Sequence, residues 1–371
     1  FGNITGGNNV YLINPNGVLF GAGSSVNVGN LHVSTRALSE VDVNAFSANG
    51  TNPLSTAASS VTGDITNMGE LRADTVTIEG NNIIINSSKA LNPEGKQLTD
   101  ANVKIYAAGD IDVGSEAGSS SLNWTLQQLD RTTAAAKTDY MLVHNVDELQ
   151  SMNNNPRGNY MLANDIDASV TSTWNDGQGF NPIRSFTGKL QGANQTINNL
   201  YINRSAECVG LFANTTGATV VNVGMVDSDI KGNNSTGSLV GQANGGTITG
   251  YNTGKVSGDH RVGGLVGSAE NSTITGYNMG AVSGTGNRVG GLVGQATQVN
   301  LSGYNLGEVN GGDHVGGLIG TDNGGSTIKG YNTKAVSGIS MIGGLVGVGN
   351  SGSTIEGYNT GDVTGSVAYL G

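Results

Sequence analysis

A single cysteine, Cys208, stands in 371 residues, so no intramolecular disulfide holds this chain and its stability must come from backbone hydrogen bonds and packing. The simplest place for that thiol is inside, as a small hydrophobe. Charge is scarce too: Asp, Glu, Lys and Arg together make up 12% of the residues, well under the usual quarter, and only 17 of them are cationic, leaving a formal net charge of -11. A surface so poor in cations suits neither nucleic acid nor an anionic membrane as a partner. No run approaches the roughly 18 consecutive apolar residues of a membrane-crossing helix. No signal-peptide pattern opens the chain either, yet Phe1 begins in mid-pattern, and the expectation is that an upstream segment has been removed. The motifs G-x-S-x-G, H-E-x-x-H, C-x-x-C and Walker A are all missing. Composition also excludes a helical repeat, because 61 glycines leave no long 3.6-period segment in the repeated part.

What is present is a cassette. Between Gly237 and Gly371 the pattern G-[SG]-L-[VI]-G, a Thr/Ile-centred triplet, G-Y-N and a Val-centred triplet recurs five times. Its leucines fall at Leu239, Leu265, Leu292, Leu318 and Leu345, so successive copies lie 26 or 27 residues apart. Within one copy Val262 to Gly267, Ser272 to Asn278 and Ala281 to Gly284 are short apolar stretches bounded by Gly, Asn or Ser, which predicts three short strands. Strands this brief cannot bury a face alone, whereas copies stacked in register pair every strand above and below. The expected fold is all-β, a right-handed parallel β-helix (β-solenoid) with coils of 26–27 residues in the C-terminal half.

Columns down the stack separate inside from outside. Ile248, Ile274, Leu301, Ile328 and Ile355 stay aliphatic, as do Val256, Val282, Val309, Val336 and Val363, and both rows belong in the core. Lys255, Ala281, Glu308, Ala335 and Asp362 share a column that accepts either charge sign, so it faces water. Asn252, Asn278, Asn305, Asn332 and Asn359 never vary, and since Asn tolerates turns and its amide can bond the next coil's amide, the column reads as a structural ladder. The tyrosines at Tyr251, Tyr277, Tyr304, Tyr331 and Tyr358 face opposite Ile248 under strict alternation, or with it if Gly250 makes a bulge. The outward columns offer no aromatic patch and indicate neither a sugar nor a protein receptor.

Four segments follow. Residues 1–113 alternate apolar and polar residues in short runs and read as less regular solenoid. Residues 114–145 break the pattern with a Ser/Gly cluster, Trp124, Leu126 and a Thr/Ala run, and read as a linker or lateral excursion. Residues 146–205 open with a short helix near 146–152, with Asn145 as cap and Glu148 three residues on, and return to strands that lead into the repeats. Residues 206–371 are the repeat solenoid, its first copy, Cys208 to Val226, degenerate.

The stretch Gly7 to Leu38, GNNVYLINPNGVLFGAGSSVNVGNLHVSTRAL, resembles the secretion domain of two-partner secretion exoproteins, the family of filamentous haemagglutinin and related adhesins. Its carrying motif is Asn14, Pro15, Asn16 and Gly17. The resemblance implies an N-terminal β-helix that engages an outer-membrane two-partner secretion pore during export, and a Gram-negative-type outer membrane behind a secreted or cell-surface product. The cores of the type Gly264-Leu265-Val266-Gly267 are similar to GLUG repeats of bacterial surface proteins, and NYMLANDIDAS at Asn159 to Ser169 resembles the module that introduces them. By itself Asn14 to Gly17 is also a good corner: Pro15 fixes φ and extends Asn14, and Asn16-Gly17 is a turn dipeptide.

Chemistry is thin. Asp110 with Asp112 and Asp165 with Asp167 each put two carboxylates on one strand face, as a glycosidase or calcium site would, yet solvated faces of an acidic protein give the same pattern. Aligned copies put His314 opposite Arg261 and Arg288, and His260 opposite Asn287 and Asp313, so no metal site forms and loop positions are expected. Thr247/Thr249 and Thr273/Thr275 start the kind of threonine row that binds ice, but Lys329 and Glu356 break it. The expectation is therefore a non-enzyme with no cofactor: a rigid adhesive or structural rod of a secreted exoprotein, with a host or bacterial surface ligand and end-to-end self-association open to it, and no nucleic acid. The alternatives are a polysaccharide-active enzyme on the same fold and a subunit of a self-assembling extracellular filament.

Overall fold

The computed structural model describes residues 2–50, 52–54, 61–99, 102–109, 111–115 and 138–366. The protein is an all-β parallel β-solenoid whose coils in the repeats are 26 or 27 residues long. The chain divides into two compact units, Phe1–Leu142 and Val143–Gly371.

In the second unit each repeat contributes four short strands, such as Val262–Gly263, Val266–Glu270, Thr273–Asn278 and Val282–Gly284, and each pairs in parallel with its equivalent one coil away. The register matches like with like: Thr247 lies on Thr273, Ile248 on Ile274, Tyr251 on Tyr277 and Asn252 on Asn278. One stretch expected as a single strand, Val262 to Gly267, is two. Val262 through Val266 are all buried, and because a strand sends alternate side chains to opposite faces, five consecutive buried residues require a corner, made here around Leu265.

The core follows the aliphatic columns. Val256, Val282, Val309 and Val336 form one buried cluster with Val262, Val289, Val315 and Ile342. Ile248, Ile274, Leu301 and Ile328 are buried, whereas Ile355 is 45% exposed because no described strand covers the far side of Thr354–Asn359. The column from Lys255 to Asp362 is exposed at every coil. Cys208 to Val226 supplies three of the four strands of one more coil, with Val209 paired to Thr236, Phe212 to Val240 and Val220 to Ile248, and Asp229–Lys231 completes it. Two glycine columns permit this spacing. A Cβ on Gly276, Gly303 or Gly330 would lie within 2.0 Å of the carbonyl oxygen of the matching glycine one coil back, so nothing larger lets the strands approach to hydrogen-bond distance.

The first unit stacks longer strands. Ser25–Ser34 is flanked by Asn3–Ile13 and by Thr75–Gly80, and a second ladder runs Val18–Phe20, Ile65–Asn67, Ile83–Asn86, Ile111–Ser115. Leu31, Val33, Ile65, Leu71, Ile78, Ile83, Ile85 and Ile111 fill its interior. Two features were not expected from the sequence. A helix, Glu40–Asn49, leaves the coil in a region read as solenoid; Ser39 accepts from the Asp42 N–H while the Asp42 carboxylate accepts from the Ser39 N–H, and Gly50 ends it with φ +63°. At its root a buried ion pair joins Arg36 to Glu79 through two 2.8 Å bonds, with Ser34 donating to the same carboxylate. The helix Val146–Ser151 is capped by Asn145, whose side chain accepts from the Glu148 N–H; Glu148 in turn accepts from the His144 N–H rather than from that of Asn145.

Candidate functional site

Alternation along Thr247–Asn252 and its four equivalents sends two side chains of each G-Y-N triplet in opposite directions: the asparagine inward and the tyrosine outward. Inside, the Nδ2 of Asn252 donates to Oδ1 of Asn278 at 2.8 Å, Asn278 to Asn305 at 2.8 Å, Asn305 to Asn332 at 2.7 Å and Asn332 to Asn359 at 2.7 Å. The second Nδ2 hydrogen goes to the backbone carbonyl two residues on, at Gly254, Gly280, Gly307, Lys334 and Gly361. Asn252, Asn278, Asn305 and Asn332 are fully buried, so both amide hydrogens are spent within the protein and the row is a stabilising element with nothing left to offer a ligand. The glycine before four of the five repeat leucines makes room for it; Leu239 follows Ser238 instead. A Cβ on Gly291 would lie 2.4 Å from Cγ of Asn305, and one on Gly317 2.7 Å from Asn332.

Outside, the five tyrosines form one stack. Successive ring centroids are 4.9, 5.0, 4.9 and 5.2 Å apart and the planes differ by 5°, 1°, 4° and 4°. Gly250 makes no bulge, since the pairing from Thr247 to Asn252 runs without a break. One coil earlier the tyrosine position is held by Gly224, and a Cβ there would fall 2.5 Å from Cζ of Tyr251, so that ring leans over the glycine. Burial pushes the phenols of Tyr251, Tyr277 and Tyr331 above their usual value, with the Asp165 charge adding to Tyr251 and neighbouring rings to the others. The hydroxyls thus remain protonated donors at neutral pH. Sequence reasoning found no aromatic patch; the structure makes one because the 26–27-residue repeat places in contact rings that are far apart in the chain.

The other singled-out residues are dispersed. Asn14, Pro15 and Asn16 are exposed in a turn after Asn3–Ile13, where Asn14 Oδ1 accepts from the Asn16 N–H at 3.1 Å and its carbonyl from the Gly17 N–H at 3.0 Å. Gly17 sits at φ +114°, packed against Asp64 of the next coil. Asp165 accepts from the N–H and hydroxyl of Thr196, and Asp167 from the Ser169 N–H, which holds its carboxyl below the usual range. Asp165 therefore ties its coil to the next, and Asp167 caps a local turn. Asp110 lies outside the described residues. His260 Nδ1 accepts from the Asn287 N–H, and His314 Nδ1 lies 3.3 Å from the Thr321 hydroxyl. Among the described residues no group of three or more His, Cys, Asp or Glu side chains could hold a metal ion. Cys208, expected inside, is half-buried: it precedes the inward Val209 and so points outward, 3.7 Å from Gln242. Burial raises its pKa, which keeps it a thiol.

Fold and surface define a repeat β-solenoid with an internal amide ladder and an external aromatic one. Residues 128–254 match the family described as the M26 IgA1-specific metallo-endopeptidase N-terminal region. A stretch of 115 residues is 44% identical to Halomucin of Haloquadratum walsbyi; it covers 29% of this chain and 1% of that protein, so the chain spans a very small part of this curated relative. A crystal structure from Bacteroides ovatus, of a protein described as an immunoglobulin A1 protease, superposes with a TM-score of 0.45 at 20% identity over 62% of this chain and 77% of that one. A likeness at that level supports no functional conclusion. The family match corrects one expectation. The sequence pointed to a non-enzyme, whereas residues 128–254, about a third of the chain, match the N-terminal region of a metallo-endopeptidase, and that match overturns the expectation. None of these matches bears on two-partner secretion or on GLUG repeats.

Proposed function

We propose that this chain is a β-solenoid module of a secreted or cell-surface metallo-endopeptidase, built to position a protein substrate or the catalytic part. The observation that carries this reading is the match of residues 128–254 to the N-terminal region of such a peptidase. The chemistry of the chain fits a positioning role: H-E-x-x-H occurs nowhere in its 371 residues, so the zinc ligands of such an enzyme would be supplied by another part of the polypeptide. In-register ladders hold each coil to the next through every strand, which suits a support that must not deform. The test is proteolysis by the natural full-length protein, with immunoglobulin A1 and casein as substrates and 1,10-phenanthroline as chelator. Chelator-sensitive cleavage that weakens through KM when residues 143–366 are deleted supports the reading; absence of any chelator-sensitive cleavage overturns it.

Export through an outer-membrane pore is a second reading, favoured by the exposed turn at Asn14 to Gly17, which leaves its side chains available to a partner. Co-expression with a two-partner secretion pore tests it. Loss of secretion on Asn14→Ala with Asn16→Ala, in a protein that still folds, supports this route, and undiminished secretion removes it. Adhesion to a surface ligand and end-to-end association belong with this reading.

A further inference from the structure

The outward face of the strands Thr247–Asn252, Thr273–Asn278, Asn300–Asn305, Thr327–Asn332 and Thr354–Asn359 differs from the rest of an acidic molecule. Beside the tyrosine row runs a column of Thr249, Thr275, Ser302, Lys329 and Glu356. The column's only two charges neutralise each other, Lys329 Nζ lying 3.0 Å from Glu356, so the column and the tyrosine row carry no net charge of their own in a chain of net charge -11, with the Asp165 carboxylate reaching only the Tyr251 end. The five phenol hydroxyls and those of Thr249, Thr275 and Ser302 take no hydrogen bond from or to any described residue, although the inward asparagines of the same strands spend both amide hydrogens. The tyrosine recurs once per coil with its rings 4.9–5.2 Å apart, and the column hydroxyl recurs over three successive coils, Thr249, Thr275 and Ser302.

A neutral row of amphipathic rings and unspent hydroxyls, repeating along one axis, matches a ligand that is uncharged, rich in hydroxyls and itself periodic. We propose that this face binds an extended neutral polysaccharide, its chain lying along the step between the tyrosine row and the Thr/Ser column so that successive sugars meet successive coils. Rings stacked on one another present their edges and hydroxyls, so recognition runs through hydrogen bonds and apolar ring-edge contact, with the sugar's C–H surface against the side of the row. A charged glycan is disfavoured, since the face holds no unpaired cation. The inference is independent of the peptidase reading.

Calorimetric titration of the 371-residue protein with cellohexaose and xylohexaose tests it, with the matching disaccharides and hexagalacturonate as controls. Expected are at least tenfold tighter binding of a neutral hexasaccharide than of its disaccharide, no binding of hexagalacturonate, and at least a tenfold loss on Tyr304→Ala. Ser302→Lys is the second variant: lysine already stands in this column at Lys329, so the fold tolerates it, and at least a fivefold loss is expected from the unpaired charge. Absence of binding by both neutral hexasaccharides overturns the proposal, as does binding that neither variant weakens. Sedimentation showing dimers that Tyr304→Ala dissolves, without sugar binding, would assign the face to a second copy instead.

Discussion

Replacing Asn305 by alanine is the sharpest test of the internal ladder. The Asn305 amide accepts from Asn278 Nδ2 and from the Gly307 N–H, and donates to Asn332 Oδ1 and to the Gly307 carbonyl. Removing it leaves those four groups buried with a partner gone. At about 1 kcal/mol each, the lower end of the cost of an unmet buried group, the loss sums to ~4 kcal/mol. The terminal member Asn359 is partly exposed and water replaces its partners, so Asn359→Ala is expected to cost only about 1 kcal/mol. Urea denaturation followed by far-ultraviolet circular dichroism, with native-state hydrogen exchange at Leu301 and Ile328, measures both variants. Because coils interact with nearest neighbours, exchange should rise first in the coils around residue 305. Equal shifts for the two variants, or a loss under about 1 kcal/mol for Asn305→Ala, would refute the idea that fully spent buried amides hold the coils together.

Two further outcomes follow from the same geometry. Gly291→Ala places a Cβ 2.1 Å from the Gly317 carbonyl oxygen and 2.4 Å from Asn305 Cγ, and is expected to cost about 3 kcal/mol or more in urea melts; Gly349→Ala, whose nearest neighbour would be 3.8 Å away, should change stability by less than about 0.5 kcal/mol. The raised phenol values of Tyr251, Tyr277 and Tyr331 mean that the folded state holds protons the unfolded chain has released, so their contribution is full below the ordinary tyrosine value of about 10 and is lost as pH rises through the higher folded values. Thermal melting from pH 8 to 11 should therefore fall more steeply for the wild type than for a variant with phenylalanine at these three positions, and parallel curves would contradict the stacked row.

The sequence carried the fold in its period. Like residues recurring every 26 or 27 positions can pair in register only if coils stack in parallel, and the aliphatic columns then locate the core without coordinates. Local capping chemistry was legible too, at Asn145 before Val146–Ser151, and the same signal, Ser39 with Asp42, stood unread before Glu40–Asn49 in a region of strand-like runs. Where alternation was the only guide it failed at Leu265, because a corner buries consecutive residues and erases the period of two. The tertiary structure alone decided that Tyr251 and its equivalents touch as one ring stack, that Lys329 and Glu356 cancel on the same face, and that Arg36 finds Glu79 inside the first unit. Each depends on distances between residues tens of positions apart, which a one-dimensional pattern sets in order but only hydrogen-bonded coils bring into contact.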